Sequence, residues 1–201
     1  MNFKSFSFAP EIIQALDELN YHTLTPIQRA AIPAVRKGKD VLASAQTGTG
    51  KTAAFALPII QKLVESELST TNAPHALVLA PTRELAEQIA NNFRDFAKHT
   101  SLKVVSLFGG VSTAGQANAL KEGVDIVVAT PGRLFDHIRL GNLSLASVKH
   151  LVLDEADRML DMGFIEDMQN VIKSCAEERQ ILLFSATFPA AIKQFASKVL
   201  K

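Results

Sequence analysis

The sequence predicts an α/β domain, a mostly parallel central sheet with helices on both faces, and three observations carry that reading. Apolar runs such as Ala76-Leu77-Val78-Leu79 and Ile126-Val127-Val128 are continuous rather than alternating, which suits parallel strands buried on both sides. Runs with helical periodicity lie between them. Polar motifs follow the apolar runs directly, and in parallel sheets the carboxyl ends of the strands face ligands.

The elements follow in order. Residues 1–9 carry Phe3, Phe6 and Phe8 and read as an extended segment packed on the domain. Pro10 suits the first turn of a helix with Ile12, Ile13, Leu16 and Leu19 on one face. Asn20-Tyr21-His22 is a turn. Thr25 is an N-cap with Pro26 at the first helical position. Gln28 lies in that first turn and reads as a helix-surface residue. Pro33 interrupts or kinks the helix, and Gly38 stops it. Strands are predicted near 40–43, 76–80, 104–107, 125–129, 148–154 and 180–185. Helices are predicted just after residue 52, from Glu84 to Lys98 with Leu85, Ile89, Phe93 and Phe96 on one stripe, over about 164–174 and over about 189–200. Ser69–Asn72 reads as a surface loop. Residues 1–201 form one domain, a flank over 1–38 and an α/β core over 39–201, with no internal repeat.

Composition narrows the function. Apolar residues make up 47% of the chain, enough for a packed core and too many for a disordered segment. The net charge of +1 gives no global pull on nucleic acid, so any such site is local. Cys175 is the only cysteine, which excludes an intrachain disulfide and a cysteine metal cluster; it reads as a small structural residue. His22, His75, His99, His137 and His150 lack ligand spacing and read as surface or loop residues. No apolar run reaches membrane length and the first residues carry no signal core. A reducing, cytoplasmic setting fits.

The chemistry begins at Ala45-Gln46-Thr47-Gly48-Thr49-Gly50-Lys51-Thr52, between an apolar run and a helix former. Strand, glycine-bearing turn and helix together make a phosphate-binding loop. Gly48 and Gly50 let the backbone turn tightly and approach an anion. Successive N–H groups and the positive helix end then face phosphates. Lys51 reaches the β and γ oxygens, and the Thr52 hydroxyl holds Mg²⁺. Ala45 replaces the usual opening glycine and therefore needs a negative φ. Downstream, Asp154 ends an apolar strand and is the expected partner of Thr52 around Mg²⁺, through water. Glu155 follows, placed to orient or deprotonate an attacking water. On its own the acidic pair reads equally as a solvated turn or helix cap. Beside the loop at 45–52, on strands read as neighbours, it points to nucleotide hydrolysis.

Asp154-Glu155-Ala156-Asp157 spells D-E-A-D, and the chain resembles the first RecA-like domain of DEAD-box RNA helicases, with seven motifs in that family's order. Val128–Arg133 and Leu151–Phe164 look like a bacterial RhlE-like member. The resemblance implies a P-loop NTPase fold with ATP and Mg²⁺ as cofactors and RNA as partner. It makes Tyr21–Gln28 a Q motif, with Gln28 on the adenine edge, Phe3 stacked on the ring and Tyr21 beside it. Asn20 stands where the family has Gly, and Leu24 where Pro is common; Asn tolerates positive φ, so the turn is expected to survive. Pro81, Thr82 and Arg83, Gly109 and Gly110, and Thr130, Pro131, Gly132 and Arg133 match motifs that grip the RNA backbone. From spacing alone, Gly109-Gly110 reads as an ordinary turn and both arginines as solvated charges. Asp157, Ser185 and Thr187 match residues coupling hydrolysis to a second RecA-like domain; by themselves Ser185 and Thr187 read as cap hydroxyls. No motif of that second domain occurs in this sequence. The expectation is an ATP-binding half that hydrolyses ATP poorly alone and belongs to a helicase unwinding short RNA duplexes. The competing readings are a P-loop ATPase of another motor and a nucleotide-switched RNA clamp.

Overall fold

The computed structural model describes residues 2–66 and 73–201, so the loop read at Ser69–Asn72 lies outside the described residues. Six strands are described: β1 (Val41–Ser44), β2 (Ala76–Leu79), β3 (Val104–Leu107), β4 (Ile126–Ala129), β5 (His150–Leu153) and β6 (Gln180–Ser185). All their pairings are parallel, in the order β1-β6-β5-β2-β4-β3. Each lies within two residues of its predicted bounds. The helices are α1 (Pro10–Glu18), α2 (Pro26–Arg36), α3 (Lys51–Glu65), α4 (Arg83–Phe96), α5 (Thr113–Lys121), α6 (Pro131–Arg139), α7 (Ala156–Asp161), α8 (Ile165–Ser174) and α9 (Ala190–Val199).

Successive strand side chains point to opposite faces, and this sorts the interior into two cores. Val78, Val152, Leu182 and Phe184 join Ile12, Ile32, Phe55 and Phe93 on one face. Leu79, Leu153 and Leu183 join Leu134, Met159, Val171 and Phe195 on the other. The first core centres on Phe55, whose ring lies 5.4 Å from Phe184 and 6.0 Å from Phe93. Helix α3 is buried almost all round, as its apolar circumference requires. It packs between α2 and α4. Among the described residues no helix is long and apolar enough to cross a membrane.

The structure corrects several readings. The first residues are not extended: Phe3–Phe6 form a 3₁₀ turn, Ser7 has φ 53°, and Asn2 bridges Thr23. Curling lets Phe3 and Phe8 both reach the interior. Helix α2 runs through Pro33 to Arg36, since one lost N–H so near its end does not break it. Gly38, at φ 79°, does end it. Asn20 takes φ 58°, the left-handed turn that its side chain tolerates. The loop and the acidic pair do not follow neighbouring strands: β6 lies between β1 and β5, an order that local periodicity does not encode. His137 and His150 are not surface residues. His137 is fully buried on α6 and His150 is half-buried on β5. Cys175 is buried, and burial pushes its thiol up to about 12, so it is inert.

His150 carries a consequence for acid stability. Burial first, then the charge of Lys62, push its imidazole down to about 4 from an ordinary 6.5. Between those values the unfolded chain binds a proton that the folded chain refuses, so stability present above pH 6.5 is lost as pH falls through about 4. The loss reaches up to about 3 kcal/mol. In urea titrations across this window His150→Phe should show a flatter acid slope than the wild type. An identical slope would show that other groups carry the acid response.

Candidate functional site

Because all six strands are parallel, their carboxyl ends share one edge, and six polar segments converge there. The first is the loop after β1. Gly48 and Gly50 take φ 86° and 80°, the left-handed region that favours glycine. A Cβ at Gly50 would also lie 2.5 Å from Gln28 Nε2 and 3.0 Å from Thr25 Oγ1, and so would displace the Gln28 amide. Ala45 is not among the positive-φ residues, as its side chain demands. The Thr49 hydroxyl donates to the Gln46 carbonyl at 2.6 Å and shapes the turn. Helix α3 starts at Lys51, with Gly50 as its N-cap, so its unpaired first-turn N–H groups face the loop.

Lys51 Nζ lies 2.9 Å from Asp154 Oδ1, with side-chain exposures of 6% and 0%. The same oxygen accepts the Glu155 N–H at 2.9 Å. Burial pushes the Asp154 carboxyl above the ordinary carboxylate range, against the pull of Lys51. Asp154 Oδ2 is buried and has no hydrogen-bond partner among the described residues. A buried carboxylate oxygen left unpaired is costly. Thr52, which lines the cleft beside Lys51, offers a second hard oxygen of the kind Mg²⁺ takes, an ion that uses few protein ligands and keeps waters. Glu155 stands at φ 50°, ψ 52° as the N-cap of α7. A left-handed non-glycine residue costs about 1–3 kcal/mol and such strain clusters at functional sites. Its carboxylate lies 3.9 Å from Arg158.

From Lys51 a cleft of about 630 Å³ runs past Gly48, Gly50 and Thr52 to Gln28, Tyr21 and Phe3. One end is therefore cationic and amide-rich, and the other aromatic. Gln28 is buried, not a surface residue. Its Oε1 accepts the Thr25 N–H at 2.9 Å and its Nε2 donates to the Gly50 carbonyl at 3.0 Å. It thus ties α2 to the phosphate loop. One amide N–H and one lone pair stay available. Thr47 also lines the cleft, but Ala45, Gln46 and Thr49 do not; Ala45 and Thr49 line a separate hollow beside Pro26 and Ile27. Sequence reasoning missed the far wall, Leu85, Gln88, Asn92 and Phe96 of α4. Their 3-4-4 spacing marks one helix face, and the polar Gln88 and Asn92 on it were the available signal. The Tyr21 and Phe96 rings lie 5.9 Å apart.

The order β2-β4-β3 sets the other motifs in a row. Pro81-Thr82-Arg83 follows β2, with the Thr82 hydroxyl accepting the Leu85 N–H at 3.3 Å as cap of α4. Thr130 caps α6, with Pro131 at its first position and Gly132 exposed. Gly109 and Gly110 are exposed after β3. Arg133 is not a solvated charge, whereas Arg83 is exposed. Arg83 stacks over Phe108 at 4.9 Å. Arg133 donates to the Val111 carbonyl at 2.9 Å and to Gln116 Oε1 at 3.1 Å. Both hold the glycine turn, leaving hydroxyls and backbone N–H groups as its outward face.

Asp157, Ser185 and Thr187 form a closed cluster between α7 and the end of β6. The Thr187 hydroxyl and N–H donate to Asp157 Oδ2 at 2.8 and 3.1 Å. Ser185 Oγ accepts the Asp157 N–H at 3.3 Å and donates to the Thr187 carbonyl at 2.7 Å. Burial pushes the Asp157 carboxyl up, but these bonds outweigh it and hold the group below its ordinary value.

Known proteins resemble this chain along its length. A family model for the DEAD/DEAH box helicase matches residues 25–195. The chain is 48% identical over 200 residues to the ATP-dependent RNA helicase DeaD of Escherichia coli (strain K12), covering 99% of this chain and 31% of that protein. It is 45% identical over 199 residues to the protein of the same name from Mycobacterium tuberculosis (strain H37Rv), covering 98% and 35%. The chain therefore spans about a third of the length of these relatives. A solved DEAD box protein from the hyperthermophile Methanococcus jannaschii superposes with a TM-score of 0.91 at 40% identity, over 100% of this chain and 54% of that one.

The buried ion pair yields a prediction of its own. Lys51→Met should cost about 3 kcal/mol of stability at neutral pH, because Asp154 is left charged and buried. Without Lys51 the folded Asp154 pKa rises further, so the deficit should shrink as pH falls and the carboxyl protonates. Denaturant titrations at neutral and mildly acidic pH measure this. A deficit that grows on acidification would contradict the assignment.

Proposed function

The chain belongs to the DEAD/DEAH box helicase family, and on that footing we propose that it is the ATP-binding first RecA-like domain of an ATP-dependent RNA helicase. The observation that carries the nucleotide chemistry is the Lys51–Asp154 pair with its orphaned Oδ2. In this reading Phe3 stacks on adenine beside Tyr21. Gln28 reads the adenine edge with the N–H and lone pair it has left. Because Gln28 also bonds Gly50, base recognition and loop shape are one event. Lys51 and the α3 N-terminus take the β and γ oxygens. Thr52 and Asp154 would hold Mg²⁺, which would supply positive charge against that developing on the phosphates. Glu155 orients the attacking water and accepts its proton.

RNA lies along the edge formed by Pro81–Arg83, Gly109-Gly110 and Thr130–Arg133. Hydroxyls and backbone N–H groups there contact phosphate and sugar without reading sequence. Asp157, Ser185 and Thr187 transmit the nucleotide state to a second RecA-like domain of the parent protein, which completes the RNA cleft and supplies the arginine finger. Alone, this chain binds nucleotide but turns over poorly; the parent separates short RNA duplexes in the cytoplasm. The wording of Val128–Arg133 and Leu151–Phe164 supports an RhlE-like member.

Two measurements test this. Calorimetry should find ADP bound in preference to GDP, with Gln28→Ala weakening ADP roughly tenfold through one lost buried hydrogen-bond site; equal ADP and GDP affinities would overturn the adenine reading. ATP turnover by this chain should stay close to the Glu155→Gln blank with or without RNA. Strong RNA-stimulated turnover would overturn the need for a second domain.

A further inference from the structure

Beneath the Gly109-Gly110 turn lies a polar network that the nucleotide chemistry does not use. Gln116 of α5 is nine-tenths buried. Its Nε2 donates to the Phe108 carbonyl at 2.9 Å. Its Oε1 accepts from Arg133 Nη1 at 3.1 Å and faces His137 Nε2 at 3.0 Å. His137 of α6 has no exposed surface. Its Nδ1 lies 3.2 Å from Asn142 Nδ2, an amide nitrogen that only donates. Nδ1 must therefore accept, which puts the ring proton on Nε2, where it is donated to Gln116. Burial, then the Arg133 charge, push this imidazole below its ordinary value, in keeping with a neutral ring. Both lone pairs of Gln116 Oε1 are thus filled, by Arg133 and by His137.

The network ends on two carbonyls, Phe108 through Gln116 and Val111 through Arg133. These flank Gly109 and Gly110, which have no side chains to fix their own conformation; Gly110 sits at φ 84°. An exposed diglycine is the most mobile kind of turn, yet here it is anchored on both sides to α5 and α6. We propose that Gln116 and His137 are positioning residues: acting through Arg133, they lock the diglycine turn against the N-terminus of α6, so that both sets of N–H donors meet one phosphodiester backbone in fixed register. Neither side chain touches RNA. The inference rests on the RNA reading of this edge. It adds Gln116, on a helix the sequence reading did not find, and His137, read there as a surface or loop residue.

An NMR titration of the ¹⁵N-labelled chain with single-stranded oligouridine tests it, alongside ADP calorimetry. In the wild type the amides of Gly109, Gly110 and Gly132 should shift. Gln116→Leu, of similar volume, should raise the oligouridine Kd roughly tenfold and leave the ADP Kd unchanged, because the nucleotide cleft is built by other elements. Gln116→Glu retains the acceptor for Arg133 and His137 and should recover part of the loss. His137→Phe should weaken RNA in the same direction. Wild-type amides that do not shift would sink the RNA reading itself. Shifting amides with wild-type RNA affinity in Gln116→Leu, or in a folded His137→Phe should Gln116→Leu fail to fold, would overturn the positioning role.

Discussion

One buried ion pair, Lys51 with Asp154, fixes how the two halves of the edge meet. The loop that carries Lys51 follows β1 and the carboxylate ends β5, and β6 runs between them. Adjacent strands lie about 4.8 Å apart, so the strand ends are roughly 10 Å apart. A long, flexible side chain is needed to close that gap, and Lys51 closes it at 2.9 Å. Burying two charges costs free energy unless their remaining groups are satisfied. Asp154 Oδ1 is satisfied twice, by Lys51 and by the Glu155 N–H, while Oδ2 has no partner among the described residues. The fold thus holds a desolvated acceptor beside the Lys51 ammonium.

The rest of the edge follows from the parallel sheet. All six strands point the same way along the sheet, so every connecting turn that leaves a carboxyl end adds polar groups to one surface. Within that surface the spatial order divides the labour. The ends of β1, β6 and β5 hold the phosphate loop, the Ser185–Thr187 segment and the acidic pair. The ends of β2, β4 and β3 hold the row of hydroxyls and exposed N–H groups. Two side chains bind neighbouring parts together: Gln28 joins the aromatic end of the cleft to Gly50, and Asp157 joins α7 to Thr187.

Much of this was legible in the sequence, for a local reason in each case. Apolar runs marked all six strands, several of them continuous. Gly48, Gly50 and Asn20 marked left-handed turns, because each needs a positive φ that its residue type tolerates. What stayed hidden depends on distance along the chain. The insertion of β6 between β1 and β5 is a long-range choice with no periodic signature. Helices α5, α6 and α7 are short and begin among Gly115, Pro131-Gly132 and a six-residue span, where the periodic signal is too weak to read. Gln28, Arg133 and His137 looked like surface residues because their partners, Gly50, Val111 and Gln116, come from other elements. Pairing, not residue type, made them structural.

The most direct measurement is the effect of Mg²⁺ on binding of a non-hydrolysable ATP analogue, by calorimetry, in the wild-type chain and in Asp154→Asn. If Asp154 Oδ2 is the cation site, Mg²⁺ should strengthen binding in the wild type and add little in the variant, while the variant still binds the nucleotide. An equal Mg²⁺ effect in both chains would contradict the placement of the cation at Asp154.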